Sequence, residues 1–187
     1  MRQDRRVKYT RMVLKEALLE ILQDKPIERI SVKEICDRAD INRSTFYVHY
    51  GSPMELLDSI KDDMYDEIKR VKTDYTDMLS FLTGVFDIMY EHRQLLKLLT
   101  KGTAHIDVMF RIIDLWKDDF RAVMIREGVP DEKWNTAYLF VSCGASAVIC
   151  VWAMGDLKKT SRELAEEVYG LVTNGINAYI KEENRHV

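Results

Sequence analysis

Ser31-Val32-Lys33-Glu34-Ile35-Cys36-Asp37-Arg38-Ala39-Asp40-Ile41-Asn42-Arg43-Ser44-Thr45-Phe46-Tyr47-Val48-His49-Tyr50 is the stretch on which the fold turns. Ser31 and Glu34 have the spacing of a capping box, in which the serine accepts from the Glu34 N–H and the glutamate reaches back. A short helix follows through Ile35, Cys36 and Ala39. Asp40 then falls where a tight turn needs a left-handed residue, which Asp tolerates better than most. A second short helix is expected from about Arg43 to His49, and Gly51 breaks it. Phe46 and Tyr50 stand four apart and share its inner face. Arg43, Ser44, Thr45, Tyr47 and His49 are left outside. Two short helices joined by so tight a turn make a helix-turn-helix unit.

Both flanks support that unit. Upstream, Val13, Leu14, Ala17, Leu18, Ile21 and Leu22 draw the apolar stripe of an amphipathic helix over Tyr9 to Gln23. Lys25-Pro26 closes it, and Ile27 and Ile30 are expected to tuck into the core. Downstream, Ser52-Pro53-Met54-Glu55 reads as a second capping box with proline at the first helical position. It opens a long helix over about 53–72, with Leu56, Leu57, Ile60 and Met64 on one face.

The outer side chains of the second short helix suit a duplex. Arginine can pair with two guanine edge atoms, threonine offers a hydroxyl and a methyl, and tyrosine and histidine can reach phosphates or base edges. A recognition helix reads the major groove chiefly with its N-terminal residues. Ser31 and Lys33, at the start of the preceding helix, are placed for phosphate contact. A plain polar surface on a three-helix module would use the same residues.

Residues 9–57 resemble the DNA-binding domain of the tetracycline-repressor (TetR) family of bacterial regulators. The resemblance rests on Ile30-Ser31-Val32-Lys33-Glu34-Ile35, on Ala39 through Tyr50, and on Ser52-Pro53-Met54-Glu55-Leu56-Leu57, in order and in spacing. It implies an all-α homodimer that sets one recognition helix per subunit into successive major grooves. It further implies that Thr45, Tyr47 and His49 touch DNA while Phe46 and Tyr50 are core. Two positions depart from the family. Asp40 stands where most members have glycine. Pro53 stands where many carry a lysine that clamps a phosphate, so that contact is absent or supplied by the N-terminal arm.

Charge supports the arm as a substitute. The 187 residues carry 28 Lys/Arg against 31 Asp/Glu, for a net charge of −3. Residues 1–52 hold 11 Lys/Arg and 8 Asp/Glu, and the remainder holds 17 and 23, so a +3 segment leads a −6 one. Arg2, Arg5, Arg6, Lys8 and Arg11 make most of the excess. A basic arm on an acidic chain suits a polyanion at one end, and a solvated, frayed terminus accounts for the same residues.

Composition bounds the rest. With 47 % apolar residues the chain is too hydrophobic to be disordered. Only 8 Gly and 3 Pro favour an all-helical fold. No apolar leader follows Met1, and Cys36, Cys143 and Cys150 show no metal-binding or disulfide spacing, which points to a reduced, cytoplasmic protein without metal or cofactor. There is no Gly-rich phosphate loop and no nucleophile elbow, so an enzyme is not expected.

The second part is also read as helical, with helices near 75–91, 93–101, 106–127, 131–155 and 160–182. Thr160-Ser161-Arg162-Glu163 is a third capping box. Ala137-Tyr138-Leu139-Phe140, Gly144, Val151-Trp152-Ala153-Met154-Gly155 and Thr160 to Ala165 resemble the regulatory domain of a subgroup that includes regulators associated with dihydroxyacetone kinase genes. Asn135 to Gly155 holds no charged residue and is long enough to span a bilayer. Its small central residues and the need for a core helix favour a helix buried on all sides of a bundle. The family implies that the last two helices form the dimer interface. On the last, Leu164, Val168, Leu171, Val172, Ile176, Tyr179 and Ile180 form an apolar stripe.

A ligand pocket is expected among the helices at 75–127 and the inner face of 131–155. Phe81, Phe86, Met89, Tyr90 and Met109 are candidate lining, with Phe110, Ile113, Trp116, Phe120 and Trp152. Met and aromatic walls fit an apolar ligand, and each residue equally suits core packing. His92 and His105 are candidates to hydrogen-bond a ligand or simply to be solvated.

The chain is therefore expected to be all-α, with a DNA-binding domain over 1–52, a connecting helix over 53–72 and a ligand-binding and dimerisation domain over 73–187. The expected function is a dimeric repressor of a palindromic operator under small-molecule control, with no membrane partner. The alternative is a helical dimerisation module that acts through protein partners without a specific operator.

Overall fold

The computed structural model describes residues 2–74, 77–99, 104–126, 129–153, 155 and 158–183. Among them are ten α-helices and no strand. The chain divides into two compact units between Met64 and Tyr65.

The first unit opens with α1 (Arg2–Ile21). It starts seven residues before the expected boundary at Tyr9, because the arm's arginines, glutamine and lysine favour a helix without needing an apolar face. Leu14, Ala17, Leu18, Ile21 and Leu22 are buried and Val13 is half-buried. A single 3-10 turn, Ile27–Arg29, follows Pro26 and leads to the buried Ile30. Then come α2 (Val32–Ala39), α3 (Arg43–His49) and the first part of α4 (Pro53–Asp74).

Leu14, Leu18, Ile35, Phe46 and Leu56 are completely buried. Burying side chains of this size contributes about 1.5–3 kcal/mol each, and the five are drawn from all four helices of the unit. Around its rim, Lys15 pairs with Asp63, and Arg38 donates to Glu20 at 2.8 Å.

The second unit contains the remainder of α4, then α5 (Met78–Glu91), α6 (Arg93–Leu99), α7 (Ala104–Asp114), α8 (Lys117–Arg126), α9 (Trp134–Ala153) and α10 (Ser161–Glu183). α5 begins on Asp77, whose carboxylate accepts the Ser80 N–H at 2.9 Å. That bond holds the Asp77 carboxyl below its ordinary range. α10 packs chiefly along α5.

Three features differ from the sequence reading. The helix expected over 106–127 is two helices. At the break the N–H groups of Leu115 and Trp116 turn three residues back, to the carbonyls of Ile112 (3.3 Å) and Ile113 (2.9 Å). The turn sets Trp116 in a stack on Phe81 of α5.

The second difference is α9. Trp134, Tyr138, Ser142, Ile149, Trp152 and Ala153 are buried, but the helix is not buried on all sides within the subunit. Leu139, Phe140, Cys143, Gly144, Ala147 and Val151 form an exposed stripe, with Phe140 79 % accessible. Among the described residues, Asp131–Ala153 is the one segment long and apolar enough to cross a membrane, and 28 % of its apolar 18-residue stretch is buried.

The third difference is α10. Leu164 and Val168 lie in the core of their own subunit, and Val172 packs against the Phe120–Trp134–Tyr138 cluster. Among the described side chains of the expected interface stripe, Leu171 is the exposed one. The side chains of Ile176, Tyr179 and Ile180 lie outside the described residues.

Candidate nucleic-acid interface and regulatory cleft

The geometry of α3 begins with its two neighbours. The Ser31–Glu34 capping box is complete: Glu34 N–H donates to Ser31 Oγ at 3.3 Å, and the Glu34 carboxylate accepts from the Ser31 N–H at 3.0 Å. Lys25 pairs with the same carboxylate. Together the Lys25 and Ser31 bonds lower the Glu34 pKa to about 2. Ser31 Oγ also donates to Glu34 at 2.8 Å, so both donors of Ser31 are spent inside the cap. Asp40 ends α2 at φ 54°, ψ 43°, the left-handed conformation expected of it. Asn42 then caps α3, its Oδ1 accepting both the N–H and the hydroxyl of Ser44 at 2.9 Å.

After α3, the predicted second box is rearranged. Glu55 N–H donates to Ser52 Oγ at 3.1 Å as expected, but the Glu55 carboxylate accepts from the Gly51 N–H at 2.7 Å instead of closing on Ser52. A Cβ on residue 51 would stand 2.9 Å from that carboxylate. Glycine therefore admits the bond that fixes the exit of α3.

Between these caps α3 has two distinct faces. Phe46 is fully buried and Tyr50 nearly so, their ring centroids 6.0 Å apart. Arg43 and Ser44 are exposed, Tyr47 is 59 % accessible, and Thr45 and His49 are half-buried. Tyr47 meets Phe46 edge-on at 5.7 Å, so its ring is braced at the base while its phenol end is open. Lys33, Arg5 and Arg6 are exposed. Val48 was missed in the sequence reading, which treated only polar side chains as candidates. It is 78 % accessible on the same outer face, and an apolar side chain displayed there at helical spacing from Ser44 is itself a signal.

In the second unit, the residues expected to line a pocket separate into groups. Phe86, Met89, Met109, Phe120 and Trp152 are buried, Ile113 and Trp116 are half-buried, and Tyr90 and Phe110 are exposed. A cleft of about 880 Å³ brings together Tyr90 and Trp152 of that set. The rest of its lining is Thr83 and Asp87 from α5, Arg93 and Lys97 from α6, Ala153 and Gly155 at the end of α9, and residues 158–163 from the entry to α10. The Trp152 indole N–H donates to the Lys159 carbonyl at 2.8 Å. The third capping box is complete, Glu163 accepting the Thr160 N–H at 2.8 Å. His92 pairs with Glu67 of α4, and His105 lies outside the described residues.

Among the described residues no three His, Cys, Asp or Glu side chains gather as a metal site. Cys36, Cys143 and Cys150 are free thiols.

Comparison with known proteins fits both units. Residues 14–60 match the family model for bacterial regulatory proteins of the tetR family, and residues 76–174 match that for the C-terminal region of a transcriptional regulator. The chain belongs to the TetR family. It carries the family's helix-turn-helix DNA-binding domain, and its relatives are regulators, not enzymes.

The HTH-type transcriptional regulator YxbF of Bacillus subtilis (strain 168) is 21 % identical over 169 residues, covering 86 % of this chain. The chain spans 44 % of the length of that relative. The fold is shared with the dihydroxyacetone kinase operon activator DhaS (TM-score 0.67, 16 % identity, 91 % of this chain and 98 % of that one). It is also shared with a TetR regulator from Streptococcus agalactiae 2603V (TM-score 0.65, 20 % identity, 92 % and 98 %).

Proposed function

We propose that this TetR-family chain acts in the cytoplasm as a homodimer that binds a roughly palindromic operator and represses transcription until a small molecule binds its second unit. The observation that carries the reading is the two-faced α3. Phe46 and Tyr50 anchor it, and Arg43, Ser44, Tyr47 and Val48 stand open on the other side. Arg43, Tyr47 and Val48 supply base-edge or thymine-methyl contact, while Thr45 and His49 reach phosphates from the flanks. Lys33, Arg5 and Arg6 add phosphate contacts that carry no sequence information. Ser31 contributes by holding the start of α2, since its own donors are taken by Glu34.

The open face of α9 supports the dimer reading. Leu139, Phe140 and Val151 form a contiguous apolar stripe of the kind that marks an interaction site. A second copy would cover the stripe and set the two α3 helices about 34–36 Å apart, one turn of B-form DNA. A ligand that favours one separation of those helices over another shifts the population between binding and non-binding forms. α4 runs from the first unit into the second, so it is the element through which such a change would pass.

A gel-shift titration of the full chain against the DNA upstream of its own gene tests the reading. Specific binding that weakens steeply with salt is expected. Equal affinity for scrambled DNA of the same length would instead fit a dimerisation module that works through protein partners.

A further inference from the structure

Val48 occupies the most outward position of α3. At about 100° per residue, Phe46 and Tyr50 each stand roughly 160° round the helix from it, one just before and the other just after. Both of those rings are buried. Val48 therefore points directly away from the core of the first unit, and it is 78 % accessible against 59 % for Tyr47.

Small side chains stand beside it. Ser44 lies one turn earlier and about 40° round, and Thr45 about 60° round on the other side. Ser44 is exposed and Thr45 half-buried. The Ser44 hydroxyl and N–H both donate to Asn42 Oδ1 at 2.9 Å, so its donors are spent in the cap of α3. Tyr47 and His49 are the shoulders, about 100° to either side of Val48. A core ring braces each of them, Phe46 against Tyr47 at 5.7 Å and Tyr50 against His49 at 6.3 Å. The outer surface of α3 is thus an apolar ridge between two polar flanks.

In a major groove the ridge goes deepest. An α-helix fits that groove with its outermost side chains on the base edges and its flanks toward the two sugar-phosphate walls. The braced rings hold Tyr47 and His49 at the sides, where base edges meet those walls. Val48 has no hydrogen-bonding group, so the donors and acceptors of guanine, cytosine and adenine give it nothing to select. The apolar group that a base pair presents there is the C5-methyl of thymine. Folding does not account for valine at this position. A β-branched residue is a poor helix former, and in a helix of 7 residues this one leaves most of its surface in water.

We propose that Val48 reads a thymine methyl on the floor of the major groove, one in each half-site, and that this apolar contact sets the base preference at that position. This rests on the operator reading above and deepens it, assigning one base of the half-site and the side chain that selects it.

The test uses the full chain and the duplex that it recovers from a randomised DNA pool. That duplex is made twice, once with thymine and once with deoxyuridine at every thymine position, which removes the C5-methyl groups and keeps the base pairing. Losing one buried methyl per half-site corresponds to about fourfold each, so the uracil duplex should bind on the order of tenfold more weakly. Val48→Ala should bind the thymine duplex about as weakly as the native chain binds the uracil one. It should also bind the two duplexes within about twofold of each other, with unchanged circular dichroism and melting temperature. Equal affinity of the native chain for both duplexes would overturn the proposal. So would a Val48→Ala chain that keeps the native preference for thymine, because another side chain or the shape of the duplex would then be reading the methyl. The native-chain comparison stands whatever the variant does. A pool that converges on no sequence would overturn the operator reading and this one with it, whereas a converged sequence indifferent to the methyl overturns this one alone.

Discussion

His92 Nε2 lies 2.9 Å from Glu67 Oε2, joining the end of α5 to the second half of α4. Both side chains are partly buried, at 22 % and 34 % accessibility. The pair therefore ties the end of α5 to the helix that continues into the first unit.

For this pair, a double-mutant cycle with His92→Ala and Glu67→Gln is expected to return a coupling of about 0.5–1 kcal/mol in thermal or urea unfolding. The more informative readout is DNA affinity. Glu67→Gln should leave operator binding within about twofold of the native value. A loss of tenfold or more would show that this contact holds α4 in its DNA-binding position.

The Glu34 cap makes a pH prediction. Its folded pKa of about 2 lies below the ordinary value of 4.5. A depressed carboxylate pKa contributes stability that is fully present above the unfolded value and is lost as pH falls through the folded one. Glu34→Gln keeps the shape of the capping box and removes the charge. Its melting temperature should be lower than native at pH 7, and the difference should shrink between pH 4.5 and 2. A constant difference across that range would show that the charge on Glu34 contributes nothing.

Not all of this was legible in the sequence. The two faces of α3 were, because Phe46 and Tyr50 at a spacing of four leave no other way to bury two rings on so short a helix. The left-handed turn at Asp40 and the caps at Ser31 and Thr160 were legible because they are local chemistry. The break at Leu115–Trp116 was not, since no glycine or proline marks it and its partner, Phe81, is distant in sequence. The inward direction of Leu164 and Val168 was hidden for a similar reason: an apolar stripe shows that a helix packs, but not whether it packs on its own subunit or on another. The cleft was invisible because Tyr90 and Arg93 are far in sequence from Trp152 and Lys159, and only the fold gathers them.

The arm supplies a third prediction. Arg5 and Arg6 are exposed on α1. If they take the place of the phosphate clamp absent at Pro53, replacing both with alanine should reduce the slope of log K against log salt by about 0.9 for each lost phosphate contact. Affinity should fall similarly for specific and scrambled DNA. An unchanged slope would place the arm away from the duplex.

Phe140 tests the dimer. It is 79 % accessible in the subunit, so Phe140→Glu should leave the helical content intact while shifting sedimentation from dimer to monomer. Operator affinity should drop at least a hundredfold with it, because one half-site alone retains only part of the contacts. A dimer that survives this substitution would place the interface elsewhere.

The central claim is the direction in which α3 faces, and Tyr47 against Phe46 tests it most directly. Tyr47→Ala should leave unfolding free energy within about 0.5 kcal/mol of the native chain, while fluorescence anisotropy against the operator shows at least a tenfold loss of affinity. Phe46→Ala, from a fully buried position, should cost about 3–5 kcal/mol of stability. A Tyr47→Ala chain that is destabilised like Phe46→Ala, or one that binds the operator as tightly as the native protein, would contradict the account.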